Sequence, residues 1–290
     1  VVVAVIDTGI QLDHPDLAPN IWVNPGEIAN NNVDDDNNGF IDDVHGWDFW
    51  NWDNDPDDDD SFGHGTHVAG IIGAVINNGI GVSGIAPNVR LMALKVHSSD
   101  GRSYSNLIYK ALKYAVSNGA QISNNSYGGY GENPKMGALI DAAARVGHVF
   151  VSSAGNDENN NDISPAFPAS YPNDSIISVG ATDQSGQMAS FSNYGRDSVD
   201  VAAPGRDIFS TITDSSYGWK SGTSMAAPQV TGLVALMRSI EPNLTSSAIR
   251  EILIETSRPD SRLQNLVVSG GSVDAAAAVR AITQSLIPTT

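Results

Sequence analysis

Val1-Val2-Val3-Ala4-Val5-Ile6-Asp7-Thr8-Gly9 is the stretch from which the fold is read. Its first residues form an apolar run with no polar break, the pattern of a strand buried on both faces of a sheet. The run ends in an acid, a hydroxyl and a glycine. It is far shorter than the roughly 20 apolar residues of a membrane span, and it lacks the charged leader and cleavage site of a signal peptide. If the protein is exported, its targeting segment has been removed.

Moving outward, similar runs recur. Val89–Val96, Gln121–Asn124, Val149–Ser152, Ser175–Ala181 and Val199–Ala203 read as strands. Between and after them, His67–Ile76, Ser105–Ser117, Pro134–Val146, Thr223–Ile240, Thr245–Glu255 and Val273–Gln284 read as helices. The helix over 105–117 carries Leu107, Ile108, Ala111, Leu112 and Ala115 at helical spacing, and Asn118-Gly119 stops it. This alternation predicts an α/β fold, a mostly parallel sheet with helices on both faces. Catalytic groups then belong at strand ends and in the adjoining loops. There is no internal repeat or long linker, so residues 1–290 read as one domain. The stretch 24–61 is too long and polar for an ordinary connector and reads as a metal-held surface excursion.

The chain has no cysteine, which excludes disulfides, thiolate metal sites and a cysteine nucleophile. A formal net charge of -18 argues against nucleic acid and anionic membrane as partners and in favour of cations. Much of the acidity is local, within residues 34–60, and is mainly Asp.

Three segments carry chemistry: Val5-Ile6-Asp7-Thr8-Gly9, Gly63-His64-Gly65-Thr66-His67-Val68-Ala69-Gly70, and Ser221-Gly222-Thr223-Ser224-Met225-Ala226-Ala227-Pro228. A serine hydroxyl becomes a useful nucleophile when a base takes its proton. Histidine suits that task near neutrality, and a carboxylate behind it fixes the tautomer and stabilises the imidazolium. Ser224 stands where a helix begins, so backbone N–H groups there point toward developing negative charge. Taken singly, each residue has a plainer reading: Asp7, His64 and Ser224 as caps, and Asn156 as a turn former.

Together, in this order, the three segments resemble the subtilisin family of serine proteases. The resemblance implies a three-layer subtilisin-like fold with Asp7, His64 and Ser224 as a catalytic triad. Ser153-Ala154-Gly155-Asn156 resembles the family's oxyanion-hole segment, with Asn156 as side-chain donor. Ser126, Tyr127 and Gly128 resemble the segment that pairs with substrate on one side, and Gly101 and Tyr104 lie in its opposing counterpart. The same alignment lines the primary pocket with Ser126–Gly128 and Ser153–Gly155 and puts Ala166 at its base. These segments contain no acid, which predicts large apolar or aromatic P1 residues. His67 takes a packing role; a zinc site is disfavoured because no Glu follows His64.

Asp34-Asp35-Asp36-Asn37-Asn38-Gly39-Phe40 resembles an EF-hand-like loop, with Asp34, Asp36, Asn38 and the Phe40 carbonyl at ligand positions and Gly39 at the turn. Position twelve is His45 rather than Glu, so Asp43 is the candidate acidic ligand. Asn77–Val82 resembles the family's strong calcium loop. Asn78 would bind by side chain, Ile76, Ile80 and Val82 by carbonyl, and Asp16 by carboxylate. The family segment preceding the first strand has no counterpart here. The Asp-rich run 53–60 reads as a solvated charge run. The resemblance thus implies a secreted, monomeric endopeptidase with two or more structural calcium ions, protein or peptide substrates, and a pro-segment partner during maturation. Two rivals remain: an inactive calcium-dependent binding protein on the same scaffold, and an acid serine-carboxyl peptidase, which would need Glu in place of His64.

Overall fold

The computed structural model describes residues 1–285. In chain order the elements are β1 (Val2–Asp7), β2 (Gly46–Asp48), α1 (His64–Gly73), β3 (Arg90–Lys95), α2 (Ser105–Ser117), β4 (Ile122–Asn125), α3 (Pro134–Arg145) and β5 (Val149–Ser153). They continue with β6 (Ile176–Thr182), β7 (Val201–Pro204), β8 (Ile208–Ile212), β9 (Ser216–Lys220), α4 (Thr223–Ile240), α5 (Ser246–Thr256), β10 (Arg258–Pro259), β11 (Gly271–Ser272) and α6 (Ala275–Ser285).

Backbone contacts divide these elements into two compact units, 1–123 with 209–218 and 124–208 with 219–290, the division falling inside β4. In the first unit β1 pairs in parallel with β3, and β3 in parallel with β2. From Val3 to Ile6 the β1 side chains have no solvent exposure, as an unbroken apolar run requires of a strand covered on both faces. Helices α1 and α2 both pack on β1 and β3. The β8–β9 turn of this unit lies on α1. Ser210 Oγ and Thr211 Oγ1 donate to the carbonyls of His67 and Thr66, and a Cβ at Gly70 would lie 2.2 Å from Thr211 Oγ1. In the second unit β5, β6 and β7 run parallel, with β11 beside β7 and antiparallel to β10. Here α4, long and mostly buried, packs on β5, β6 and β7.

Strands and helices fall within a few residues of the sequence expectation, and α2 and α4 coincide with it. Three departures bear on function. Helix α1 begins at His64, not His67, and ends at Gly73. The excursion 24–61 is not merely a surface loop, because it supplies β2, whose residues are all buried. Gly46 makes that pairing possible: its φ is +128°, and a Cβ there would lie 1.8 Å from the carbonyl oxygen of Ala93. Nor is residues 53–60 a solvated charge run throughout: Pro56, Asp58 and Asp60 are buried.

Gly46→Ala should therefore push β2 off β3. Backbone strain alone costs about 1–3 kcal/mol at such a position. Calorimetric unfolding should show a clear loss of stability, whereas an unchanged melting temperature would mean that β2 is not held by this contact.

Candidate active site

The end of β1 delivers Asp7, buried at 1% exposure. An isolated buried carboxylate is costly, and this one is bonded twice at Oδ1. Thr8 N donates to it at 2.8 Å and the His64 imidazole Nδ1 at 2.6 Å. Burial pushes the Asp7 carboxyl up, but the facing His64, His97 and the Thr8 N–H outweigh it and leave the group below its ordinary value. With Nδ1 committed as donor, the other ring nitrogen, Nε2, is the basic one. His64 is the first residue of α1, so its position follows from where that helix starts. His67 is fully buried on the same helix, its Nε2 facing the Gly218 carbonyl at 3.1 Å, consistent with packing.

In the second unit Ser224 stands in the first turn of α4, whose leading N–H groups have no intrahelical acceptor. Pro228 lies four residues on and has no N–H to give the Ser224 carbonyl. Ser126 Oγ donates to that carbonyl instead, at 2.9 Å, while Ser224 Oγ is 3.2 Å from the Ser126 carbonyl oxygen. Asn156 has its amide orientation fixed: Thr223 N and Thr223 Oγ1 both donate to its Oδ1, at 2.8 and 3.0 Å. Only Nδ2 is then left to serve an incoming oxygen. Gly155 has φ +114°, and a Cβ there would strike Asn193 Nδ2 at 2.3 Å.

Around these groups lies a cavity of about 400 Å³. The expected residues Ser126, Tyr127, Gly128, Ser153, Ala154, Gly155 and Ala166 all line it, as do Asn156 and Ser224. Asp157, absent from the expected lining, also borders it, and Tyr130 Oη donates to its Oδ2 at 2.7 Å. In the first unit Gly101 (φ +80°) and exposed Tyr104 precede α2. Tyr104 stacks on Trp50 of the excursion, ring planes 3° apart, a partner that no motif marks.

The loop 34–43 gathers oxygen donors. Carboxylate oxygens of Glu27, Asp36 and Asp43 lie within 4.8 Å of one another, and the Asn38 amide reaches both Asp36 and Asp43. Burial and mutual repulsion push Glu27 and Asp43 up. A hard cation suits such an all-oxygen set. Glu27, outside the motif because it precedes the loop, joins Asp36 and Asp43 in this cluster. Asp34 accepts from the N–H groups of Asn38 and Gly39, while Phe40 sends its ring among Trp47, Phe49 and Tyr114. At the other expected site, Asp16 is fully buried and accepts from Asn78 Nδ2 at 2.6 Å and Val82 N at 3.0 Å, so these three meet. The side chains of Ile76 and Ile80 are exposed.

A family model described as the subtilase family matches residues 1–272. The chain is 42% identical over 238 residues to the thermophilic serine proteinase of Bacillus sp. (strain AK1), covering 82% of this chain and 52% of that one. It is 39% identical over 237 residues to thermitase of Thermoactinomyces vulgaris, covering 82% and 74%. It is 40% identical over 316 residues to the extracellular basic protease of Dichelobacter nodosus, covering 97% and 51%. The chain thus spans about half the length of the first and third of these relatives. A solved structure of a cold-adapted subtilisin-like serine proteinase matches with TM-score 0.74 and 28% identity, over 94% of this chain and 86% of that one. The fold is accordingly the three-layer, mostly parallel α/β fold anticipated from the sequence.

The lowered Asp7 pKa has a definite sign in stability. Its contribution is present above the unfolded value of 3.8 and is lost as pH falls through the lower folded value. The stability difference between the natural protein and Asp7→Asn should shrink as pH falls below 3.8. Denaturant titrations across that range check this, and a constant difference would remove the electrostatic account.

Proposed function

The chain belongs to the subtilase family, and from that premise we propose that it is a serine endopeptidase in which Asp7, His64 and Ser224 act together. The observation that carries the reading is the buried Asp7–His64 bond of 2.6 Å, which commits Nδ1 and keeps Nε2 basic. His64 Nε2 takes the proton of Ser224 Oγ as that oxygen attacks the peptide carbonyl. The oxyanion is met by Asn156 Nδ2 and the Ser224 N–H at the start of α4. His64 then protonates the leaving amine, and water hydrolyses the acyl-enzyme by the reverse proton path. Residues 1–290 act as one peptidase domain.

Extended peptide would add as a strand beside 126–128 and 101–104, main-chain pairing that accepts many sequences. The cavity bounded by Gly128, Ala154 and Ala166 favours a large apolar or aromatic P1 side chain. Asp157 stands only at its border, where it accepts from Tyr130 Oη. Calcium would be held by Glu27, Asp36, Asn38 and Asp43, with Asp34 and the Phe40 carbonyl from the same loop. A second ion would be held by Asp16, Asn78 and the carbonyls of Ile76, Ile80 and Val82. These ions stabilise the fold and take no part in proton transfer. The enzyme acts on protein and peptide substrates outside the cell, as a monomer, after removal of a pro-segment.

A serine-directed fluorophosphonate, with peptide mapping, should modify Ser224 stoichiometrically and leave Ser224→Ala untouched. In turnover assays Asn156→Ala should lose about 10²–10³ in kcat, the loss found for such a donor in subtilisin, a member of this family. Peptides with Phe or Leu at P1 should be cleaved faster than those with Lys or Arg. Absence of labelling in folded, calcium-loaded protein would favour the inactive binding-protein reading.

Thorough chelation should lower the melting temperature and hasten self-cleavage. An ion at 100 times its Kd contributes about 2.7 kcal/mol to stability by linkage. A melting temperature unmoved by chelator would sink the calcium assignment.

A further inference from the structure

We propose that Asp58 is a positioning residue for the Asp7–His64 pair, tying the first turn of α1 to the residue that follows Asp7; this rests on the reading of His64 as the general base. The first N–H groups of a helix have no intrahelical acceptor, and α1 has no side-chain cap at its N-cap residue, Gly63. Each of its three leading N–H groups is nevertheless met from elsewhere. His64 N donates to Asp60 Oδ2 at 3.2 Å, Gly65 N to Thr8 Oγ1 at 2.8 Å, and Thr66 N to Asp58 Oδ2 at 2.9 Å.

Asp58 joins these acceptors into one network. It is 5% exposed, and its Oδ2 also accepts from Thr66 Oγ1 at 2.7 Å, while its Oδ1 accepts from Asp60 N at 3.2 Å. The Thr8 hydroxyl donates to it as well. Thr8 follows Asp7, and Thr66 lies two residues after His64, so one carboxylate restrains both sides of the Asp7–His64 bond. The segment carrying Asp58 is itself fixed against β1. Ile10 N donates to the Pro56 carbonyl at 3.2 Å and Leu12 N to Asp57 Oδ1 at 2.8 Å, and a Cβ on Gly9 would lie 2.6 Å from the Pro56 oxygen.

The carboxylate also acts through charge. Anions at a helix N-terminus stabilise it, and a negative charge near an imidazole favours its protonated form. The titratable groups around the pair in this unit are Asp7 on β1, Asp58 and Asp60 on the excursion, Lys95 at the end of β3, and His97 just beyond. Lys95 donates to the Thr8 carbonyl at 3.0 Å and is ion-paired with Asp59. Removing the Asp58 charge should lower the His64 pKa.

The test is Asp58→Asn, which keeps the shape but cannot accept from Thr66 N, Thr66 Oγ1, Thr8 Oγ1 and Asp60 N together. It is assayed in calcium beside the natural enzyme. Misplacement of a reacting group by about 1 Å can cost on the order of 10²-fold. We expect kcat to fall about 10-fold or more with little change in KM, fluorophosphonate labelling to slow in parallel, and the rising limb of kcat/KM to move to lower pH. A folded Asp58→Asn enzyme with natural kcat and an unmoved limb overturns the proposal. If Asp58→Asn does not fold, Thr66→Val is compared with Thr66→Ser. Loss of kcat in the valine variant and recovery in the serine variant support the tie, and natural rates in both overturn it. If the natural enzyme neither cleaves peptide nor labels, the endopeptidase reading has failed separately. The His64 imidazole titration, followed by NMR in Ser224→Ala with and without Asp58→Asn, then still decides the electrostatic coupling. A lowered pKa supports it, and an unmoved one ends it.

Discussion

A carboxylate shut away from water must be answered by donors, and Asp7 at the end of β1 is such a group. Its bond to His64 Nδ1 is possible only if α1 starts beside the end of β1, at that residue and not a turn later. That start depends in turn on acceptors for the helix's leading N–H groups. Gly63, in the left-handed region, brings no side chain, so the acceptors come from Thr8, Asp58 and Asp60. Burial of one acid thus draws in two others, and Asp58, buried in turn, accepts from hydroxyl and backbone amide donors of its own. Desolvation still pushes it above its ordinary value, partly offset by Thr66 and Thr8.

Much of this organisation is legible in the sequence, for physical reasons. Strand β1 declares itself because a strand covered on both faces must be apolar throughout. Helix α2 does so because one face of it is apolar at helical spacing and a glycine with φ +80° follows its end. Strand β2 is not legible, because Gly46-Trp47-Asp48 is short, has an acid at its end and sits in a polar stretch. What makes it a strand is the absence of a Cβ at Gly46 facing the Ala93 carbonyl, which no local pattern expresses. The start of α1 is hidden for the same kind of reason: its capping groups are remote in sequence or look like solvated charge. A row of aspartates reads as solvent-facing until the backbone donors that bond two of them are known.

The candidate site shows the same divide. The residue types at Asp7, His64, Asn156 and Ser224 carry their chemistry openly. Their orientation does not. Asn156 has two chemically opposite ends, and which end faces outward is set by Thr223, whose N–H and hydroxyl both take the amide oxygen. Likewise, Pro228 deprives the Ser224 carbonyl of its helical donor, and Ser126 replaces it. Both are relations between a chemical residue and an unremarkable neighbour, so a motif contains the first and leaves the second unmarked.

The excursion 24–61 brings these themes together. It holds three carboxylates closely enough to repel one another, gives an edge strand to the sheet, lays Trp50 on Tyr104, and ends in the acids that cap α1. Its aromatic anchor is Phe40, packed among Trp47, Phe49 and Tyr114. Tyr114 on α2 also donates its hydroxyl to Asp43, and burial beside that charge pushes the phenol far above its ordinary value, so it stays a donor. The acidic cluster is therefore bonded directly to a core helix, and the same stretch of chain continues to the cap of the helix that carries His64. Local charge in this excursion is arranged for structure, and the polarity that makes it read as a surface excursion in sequence is what lets it satisfy backbone groups that an apolar loop could not.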